Sequence, residues 1–234
     1  MIIQNLDRAY RLMKRAPIRG DFVEFGVFRG GSLIQTMKML KFKDAKYYGF
    51  DSFEGLPPTK VPLKGNLKQE FFEKNFSNTS LEYVKEKLRS KGLNAVLVKG
   101  YFNKLKPLSS YGIKKIRFAY IDADIYEGYR DALSLITPYL QVGTVMLFDE
   151  FIAPSDYRYQ GIREHGTRAI REWERKTGLN LHIIRFKWST ALCVIVDENY
   201  LKKHGAFIES LRSDNIVQSL TDATYQFLHK IRVF

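Results

Sequence analysis

The sequence predicts an α/β fold whose sheet has five parallel strands and a closing C-terminal antiparallel hairpin, with helices on both faces. Five short runs rich in β-branched and aromatic residues supply the parallel strands: residues 21–26, 46–51, 95–100, 116–122 and 144–150. These runs are almost continuously apolar, which is typical of parallel strands covered on both faces. Helical patterns separate several of them, and such alternation produces a parallel sheet through right-handed crossovers.

The helices follow from apolar residues at helical spacing. A first helix begins behind glycines in residues 31–42, a second occupies residues 80–93 and stops near Gly92, and a third occupies residues 128–140. The 234 residues predict one domain, with an N-terminal helix in residues 1–19, a core in 20–197 and a helical extension in 198–234.

The last two strands identify the type of sheet. Residues 181–188 and 190–196 are both strand-like, and only Ser189 separates them, so no helix fits between them. They must therefore pair as an antiparallel hairpin at the sheet edge. Five parallel strands followed by such a hairpin is the chain order of the class I methyltransferase sheet. A nicotinamide-binding Rossmann domain would instead continue with a further helix and parallel strand.

Composition excludes several classes of protein. The single cysteine, Cys193, rules out intramolecular disulfides and cysteine-based metal sites. No apolar run reaches the roughly 18 residues that span a bilayer, and the first residues lack a signal-peptide pattern, so we expect a cytoplasmic protein without membrane contact. The net charge of +13 comes from lysines and arginines spread along the chain and is only a weak indication of nucleic-acid binding.

The segment FVEFGVFRGGS, residues 22–32, predicts a ligand site at the end of the first strand. Gly26 and Gly30 permit positive φ and close approach of the backbone to a ligand, and the helix that starts near Ser32 offers free amides to an anion. The spacing differs from the G-x-G-x-x-G of dinucleotide folds. It suits an amino acid, whose ammonium group Glu24 would accept and whose carboxylate the helix start would receive.

A second acid, Asp51, ends the second strand twenty residues after Gly31 and is followed by Ser52. An acid at this position can accept both hydroxyls of a ribose. An amino-acid site beside a ribose site describes S-adenosylmethionine, with Glu24, Asp51 and their neighbours as its contacts.

At this point the sequence resembles the macrocin O-methyltransferase family of sugar and natural-product O-methyltransferases. The resemblance covers residues 20 to about 196 and rests on FVEFGVFRGGS, YYGFDSFEGLPP, VKGYF, AYIDADIYEGYRDAL, MLFDEF and HGTRAIREW. It implies a class I fold, S-adenosylmethionine as donor, usually Mg²⁺, and methyl transfer to a hydroxyl of a small sugar or phenolic acceptor. It also favours a homodimer or larger homo-oligomer.

Acidic residues end the fourth and fifth predicted strands. Because neighbouring parallel strands lie about 4.8 Å apart, these carboxylates can converge on one ion, and an all-oxygen set suits Mg²⁺. Similarity to the family assigns Asp122, Asp149 and Glu150 as metal ligands and turns Asp124 towards the cofactor. The family usually has a second aspartate where this chain has Glu150. Asp122 or His165 would take the acceptor proton.

Two other functions remain open at this stage. A nucleic-acid methyltransferase would share the fold, but the place of its usual Asn-Pro-Pro-Tyr-type run reads IDADIY here, which disfavours nucleic acid as a partner. A methyltransferase-like binding module without catalysis is compatible with Glu150 and with the C-terminal extension. The loops at residues 55–79 and 151–164 would select the acceptor.

Overall fold

The computed structural model describes residues 2–63, 72–152, 163–187 and 189–212, which form helices around one seven-stranded sheet. The strands are β1 Asp21–Phe25, β2 Tyr47–Asp51, β3 Val96–Lys99, β4 Ile116–Ile121, β5 Val145–Phe148, β6 Asn180–Lys187 and β7 Thr190–Val196. Their order across the sheet is β3-β2-β1-β4-β5-β7-β6. The first five are parallel, and β7 runs antiparallel between β5 and β6. The predicted fold class is confirmed.

Helices cover the two faces of this sheet. They are α1 Ile2–Arg15, α2 Gly31–Met39, α3 Leu81–Arg89, α4 Tyr126–Ile136, α5 Arg168–Thr177 and α6 Glu198–Arg212. Buried side chains of α1, α2, α3 and α6 join one apolar cluster, and those of α4 and α5 join the cluster on the opposite face. All six residues of β4 are buried between these two clusters, which explains why the strand is almost continuously apolar.

The terminal helices contact the antiparallel end of the sheet. On α1, the amide of Asn5 donates a hydrogen bond of 3.1 Å to the hydroxyl of Thr190, and Arg8 donates one of 2.9 Å to the carbonyl of Leu211 at the end of α6. The predicted C-terminal extension is helical as far as Arg212, and residues 213–234 lie outside the described chain. Within that described chain, every helix is too short or too polar to cross a membrane.

The carboxyl ends of β1, β2, β4 and β5 share one edge of the sheet, where open α/β sheets hold ligands. Gly26, directly after β1, has φ of 88° and lies against β4: a Cβ on this residue would stand 1.7 Å from the carbonyl oxygen of Asp122. Any side chain here would separate the ends of the two strands. Gly26 thus brings the first strand and the acidic end of the fourth together.

Candidate active site

A cavity of about 550 Å³ opens at this edge of the sheet. Volumes of this size are typical of small-molecule sites. Its wall includes Gly26, Asp51, Ser52, Asp122 and Asp124, together with residues of the loops that follow β2 and β3. Three of the acids predicted at strand ends, Asp51, Asp122 and Asp124, therefore border one space.

Glu24 is a buried carboxyl group on β1, only 1% exposed. Ser32, in the first turn of α2, donates a hydrogen bond of 2.7 Å from its Oγ to Glu24 Oε1. The other oxygen, Oε2, is buried and has no hydrogen-bond partner among the described residues. The pKa of Glu24 is raised to about 8, mainly by burial; the bond from Ser32 opposes this rise and the nearby charge of Asp51 adds to it. An unpartnered buried carboxylate oxygen fits a cationic group.

The glycine turn beside Glu24 is shaped by packing as much as by any ligand. Gly30 has φ of 70°, and a Cβ on it would lie 2.9 Å from Cγ1 of Val84 on α3. Among the described residues, Glu24, Gly30 and Ser32 do not line the cavity, whereas Gly26 does. The structure therefore gives Ser32 a role in orienting Glu24, and direct contacts of Gly30 and Ser32 with a ligand stay a prediction.

Asp51 ends β2 and organises two loops. Its Oδ2 accepts the amide of Phe28 at 2.8 Å, and its Oδ1 accepts the amide of Phe53 at 2.6 Å. Burial raises the pKa of Asp51, and these amide bonds partly offset that rise. A carboxylate has about four acceptor sites, so Asp51 retains capacity for a further donor such as a hydroxyl. The neighbouring Ser52 instead donates to the carbonyl of Gly55 at 2.8 Å and thereby closes the turn of the loop.

Three carboxylates meet where β4 and β5 end. Asp122, Asp149 and Glu150 each offer one oxygen, and these oxygens lie within 4.8 Å of one another. The pKa of Asp122 is raised well above its usual range, first by burial and then by repulsion from the charge of Asp149. Burial and then the charge of Asp149 have the same effect on the pKa of Glu150. Such a set is costly to ionise without a positive charge among its members.

Two buried tyrosines contact these acids, and neither was predicted from the sequence. The hydroxyl of Tyr120 lies 3.3 Å from an oxygen of Asp122 and 3.3 Å from one of Asp149. Tyr129 on α4 hydrogen-bonds Glu150 Oε2 and accepts the main-chain amide of Glu150 at 2.9 Å. The period of two along β4 places Tyr120 on the same face as Asp122 and could have indicated it. No local pattern links Tyr129 to Glu150.

Asp124 follows the acids of β4 in a left-handed conformation, with φ of 56°. It borders the cavity, and burial, then the charges of Asp149 and Asp51, raise its pKa to about 7. It does not cap the next helix, because Ile125 is the N-cap of α4 and provides no side-chain bond. Glu127 in the first turn of α4 accepts bonds from the Thr59 hydroxyl and the Lys60 amide, at 2.7 and 2.8 Å. It thereby holds the loop that follows β2 beside the cavity.

His165 lies in a π-helical turn, Arg163–Thr167, that leads into α5. Its ring is fully buried, and its Nδ1 accepts the main-chain amide of Tyr126, the first residue of α4, at 3.2 Å. Burial lowers the pKa of His165, so the ring is neutral at pH 7 and carries its proton on Nε2. That Nε2 is buried without a partner in the described part of the chain. In this tautomer, the ring is a donor and not a proton acceptor.

Gly166 allows this turn to pack directly on the acids. A Cβ on Gly166 would lie 2.6 Å from the carbonyl oxygen and 2.7 Å from Cβ of Glu150, and 3.0 Å from the ring of Tyr129. Thr167 donates to the Glu150 carbonyl at 3.1 Å. The segment HGT is thus the support of the carboxylate cluster on its α5 side.

Comparison with known proteins agrees with this geometry. The profile of the family described as Macrocin-O-methyltransferase (TylF) matches residues 2–192, most of the chain. The chain belongs to the macrocin O-methyltransferase family. This confirms the resemblance found in the strand-end motifs.

Individual relatives are more distant. The chain is similar to the 8-demethyl-8-(2,3-dimethoxy-alpha-L-rhamnosyl)-tetracenomycin-C 4'-O-methyltransferase of Streptomyces olivaceus, with 27% identity over 170 residues, 67% of this chain and 64% of that enzyme. It is 28% identical to the demethyldecarbamoylnovobiocin O-methyltransferase of Streptomyces niveus over 143 residues, 58% of this chain and 54% of that enzyme. These matches span less than two thirds of either relative. The solved O-methyltransferase NovP has the same fold, with a TM-score of 0.67 and 20% identity over 84% of this chain and 80% of its own.

Proposed function

We propose that this family member is an S-adenosylmethionine-dependent O-methyltransferase that uses Mg²⁺ and methylates a hydroxyl of a sugar or phenolic natural product. The observation that carries the proposal is the sharing of one sheet edge by two kinds of acid. Single carboxyl groups with acceptor capacity lie near the carboxyl ends of β1 and β2, and a cluster of three carboxyl groups directly follows β4 and β5. The first kind suits a cationic nucleoside, and the second suits a divalent metal ion.

The donor would extend between Glu24 and Asp51. The unpartnered Oε2 of Glu24 would accept a hydrogen bond from the ammonium group of the methionine part. The oxygens of Asp51 would accept hydrogen bonds from the ribose hydroxyls. Asp124, which borders the cavity together with Asp51, would face the donor's positive charge. When bound, S-adenosylmethionine supplies an electrophilic methyl group. The role of the protein is to hold that methyl group in line with the acceptor oxygen.

Asp122, Asp149 and Glu150 would hold the metal ion. Three oxygens within 4.8 Å of one another would supply part of its ligand set, and oxygen ligands are those that Mg²⁺ prefers. When bound, Mg²⁺ supplies a Lewis acid that lowers the pKa of an acceptor hydroxyl. The greater length of Glu150 does not displace it from the cluster, because Tyr129 fixes its second oxygen.

Asp122 is the residue that we propose as proton acceptor, since it borders the cavity and carries a carboxylate. His165 would act differently from the sequence-based expectation, by donating from Nε2 and by capping α4 through Nδ1. The acceptor would contact the loop that follows β2, which contributes Leu56, Pro57 and Lys60 to the cavity wall.

The substitution His165→Asn separates the role of His165 as a helix cap from a role as proton acceptor. Its side-chain oxygen can still accept the Tyr126 amide, so we expect turnover to fall by less than about tenfold and thermal stability to be nearly retained. His165→Ala should lower stability by about 1 kcal/mol, the usual cost of a lost helix cap. Methyl-transfer rates and thermal unfolding of both variants test this. A loss of about 10³-fold in kcat for His165→Asn, with normal folding, would instead show that the imidazole takes the proton.

A labelled-methyl transfer assay tests the function itself. The chain is incubated with methyl-labelled S-adenosylmethionine and a panel of deoxysugar glycosides, catechols and polyols, with Mg²⁺ or with EDTA. We expect transfer to at least one hydroxylated acceptor and its loss in EDTA. Donor binding without transfer across the panel would favour a binding module. Transfer to RNA or DNA alone, insensitive to EDTA, would favour a nucleic-acid methyltransferase.

A further inference from the structure

Tyr120 lies between Glu24 and the carboxylate cluster of Asp122, Asp149 and Glu150. It pairs in register with Glu24 on the neighbouring strand β1, and its hydroxyl is 3.3 Å from Asp122 Oδ2 and 3.3 Å from Asp149 Oδ1. The side chain is only 5% exposed, so water cannot easily take over these contacts. Among the described residues, Tyr120 is therefore the one that hydrogen-bonds both Asp122, which follows β4, and Asp149, which follows β5.

The hydroxyl constrains both acids through a single proton. A phenol has one O–H donor, which here lies equally far from the two carboxylates and can be shared between them. Sharing holds one oxygen of each carboxylate towards Tyr120. The ring itself is immobilised in the apolar cluster between the sheet and helices α1 and α2.

We propose that Tyr120 is a positioning residue that sets the orientation and separation of the Asp122 and Asp149 carboxylates for a divalent cation. The inference rests on the cation site of the proposed function. Groups that orient metal ligands through hydrogen bonds commonly contribute 10–100-fold to metal affinity. Tyr120 acts through Asp122 and Asp149 and has no contact of its own with the ion or the acceptor.

A purely structural role would have a different consequence. If the hydroxyl of Tyr120 only satisfied a buried polar group, its removal would lower the stability of the fold and leave metal affinity unchanged. Tyr47 on β2 provides the matched case. It belongs to the same apolar cluster, and its hydroxyl donates to the main-chain carbonyl of Leu40 and not to an acid.

The test is the affinity of the full chain for Mn²⁺, measured by EPR of the free ion and by calorimetry, in wild type, Tyr120→Phe and Tyr47→Phe. We expect Tyr120→Phe to weaken Mn²⁺ binding by about tenfold and to change the EPR spectrum of the bound ion, because the ligand geometry changes. Affinity for S-adenosylhomocysteine should change by less than about twofold. Tyr47→Phe should leave both affinities at the wild-type values.

The outcomes separate this inference from the proposed function. Wild-type Mn²⁺ affinity in a folded Tyr120→Phe variant would overturn the role of Tyr120 and leave the cation site intact. Absence of Mn²⁺ binding by the wild-type chain would overturn the cation site and the role of Tyr120 with it. An equal loss of Mn²⁺ affinity in Tyr47→Phe would assign the effect to general loosening of the cluster and would also overturn the inference. Thermal unfolding of each variant verifies that it is folded.

Discussion

Glu24→Gln is expected to stabilise the fold while it weakens donor binding by about 10- to 100-fold. The weaker binding follows because a hydrogen bond to a charged group contributes roughly 1.5–3 kcal/mol, and glutamine cannot pair with an ammonium group as a carboxylate does. The gain in stability follows from burial, which raises the pKa of Glu24 to about 8. Calorimetry with S-adenosylhomocysteine and thermal unfolding measure the two effects.

The sign of the pH dependence can be derived from that pKa. Between about pH 4.5 and 8, Glu24 keeps its proton in the folded chain and loses it in the unfolded chain. The wild-type chain therefore loses stability as pH rises through this window, by about 1.4 kcal/mol for each pH unit. Glu24→Gln does not titrate, so its advantage should grow to a few kcal/mol at pH 8. Donor binding by wild type should strengthen as pH rises towards 8, because the fraction of folded chains in which Glu24 is ionised grows.

Glu174→Gln is the matched control for Glu24→Gln. Glu174 is also buried, 7% exposed, but it pairs with Arg171 at 2.8 Å on α5. Removal of its charge should lower stability and leave donor affinity unchanged. Equal donor affinity in wild type and Glu24→Gln would refute the assignment of the ammonium site.

Asp149→Asn is expected to abolish Mg²⁺-dependent transfer. Asp149 is itself a member of the carboxylate cluster. Its substitution should therefore lower metal affinity by more than the 10–100-fold that is typical of residues that only orient a ligand. The cation-free fold should become more stable, because burial raises the pKa of Asp149 and its charge raises that of both Asp122 and Glu150. Calorimetry with Mg²⁺ and thermal unfolding in EDTA measure the two effects.

The control for Asp149→Asn is Asp7→Asn, an exposed aspartate on α1. It should leave metal affinity, transfer and stability at the wild-type values. Mg²⁺ affinity that is unchanged in Asp149→Asn would contradict the coordination proposed for the cluster. Reduced affinity together with reduced stability of the cation-free protein would contradict the electrostatic account of the cluster.

The sheet and the acids at its strand ends could be predicted because both depend on local sequence. Apolar runs and the hairpin around Ser189 specify the strand order, and parallel strands bring their carboxyl ends to one edge. The predicted fifth strand, residues 144–150, was two residues too long at its end. The main-chain amide of Asp149 still donates to the Ile121 carbonyl on β4. The main-chain amide of Glu150 instead donates to the hydroxyl of Tyr129, so the strand pairing has ended.

The contacts between distant segments could not be predicted in this way. His165 accepts the amide of Tyr126 across 39 residues, and Tyr129 hydrogen-bonds Glu150 across 21. Gly26 was interpreted as room for a ligand, whereas its absent side chain first makes room for the carbonyl of Asp122. These contacts depend on how the helices pack on the sheet. The spacing of residues within one segment does not indicate that packing.

The position of a bound donor analogue tests the central claim most directly. A crystal structure of the full chain with S-adenosylhomocysteine should show the ammonium group within hydrogen-bond distance of Glu24 Oε2 and both ribose hydroxyls on Asp51. An analogue bound elsewhere, or one at this edge of the sheet without contact to either carboxylate, would contradict the account.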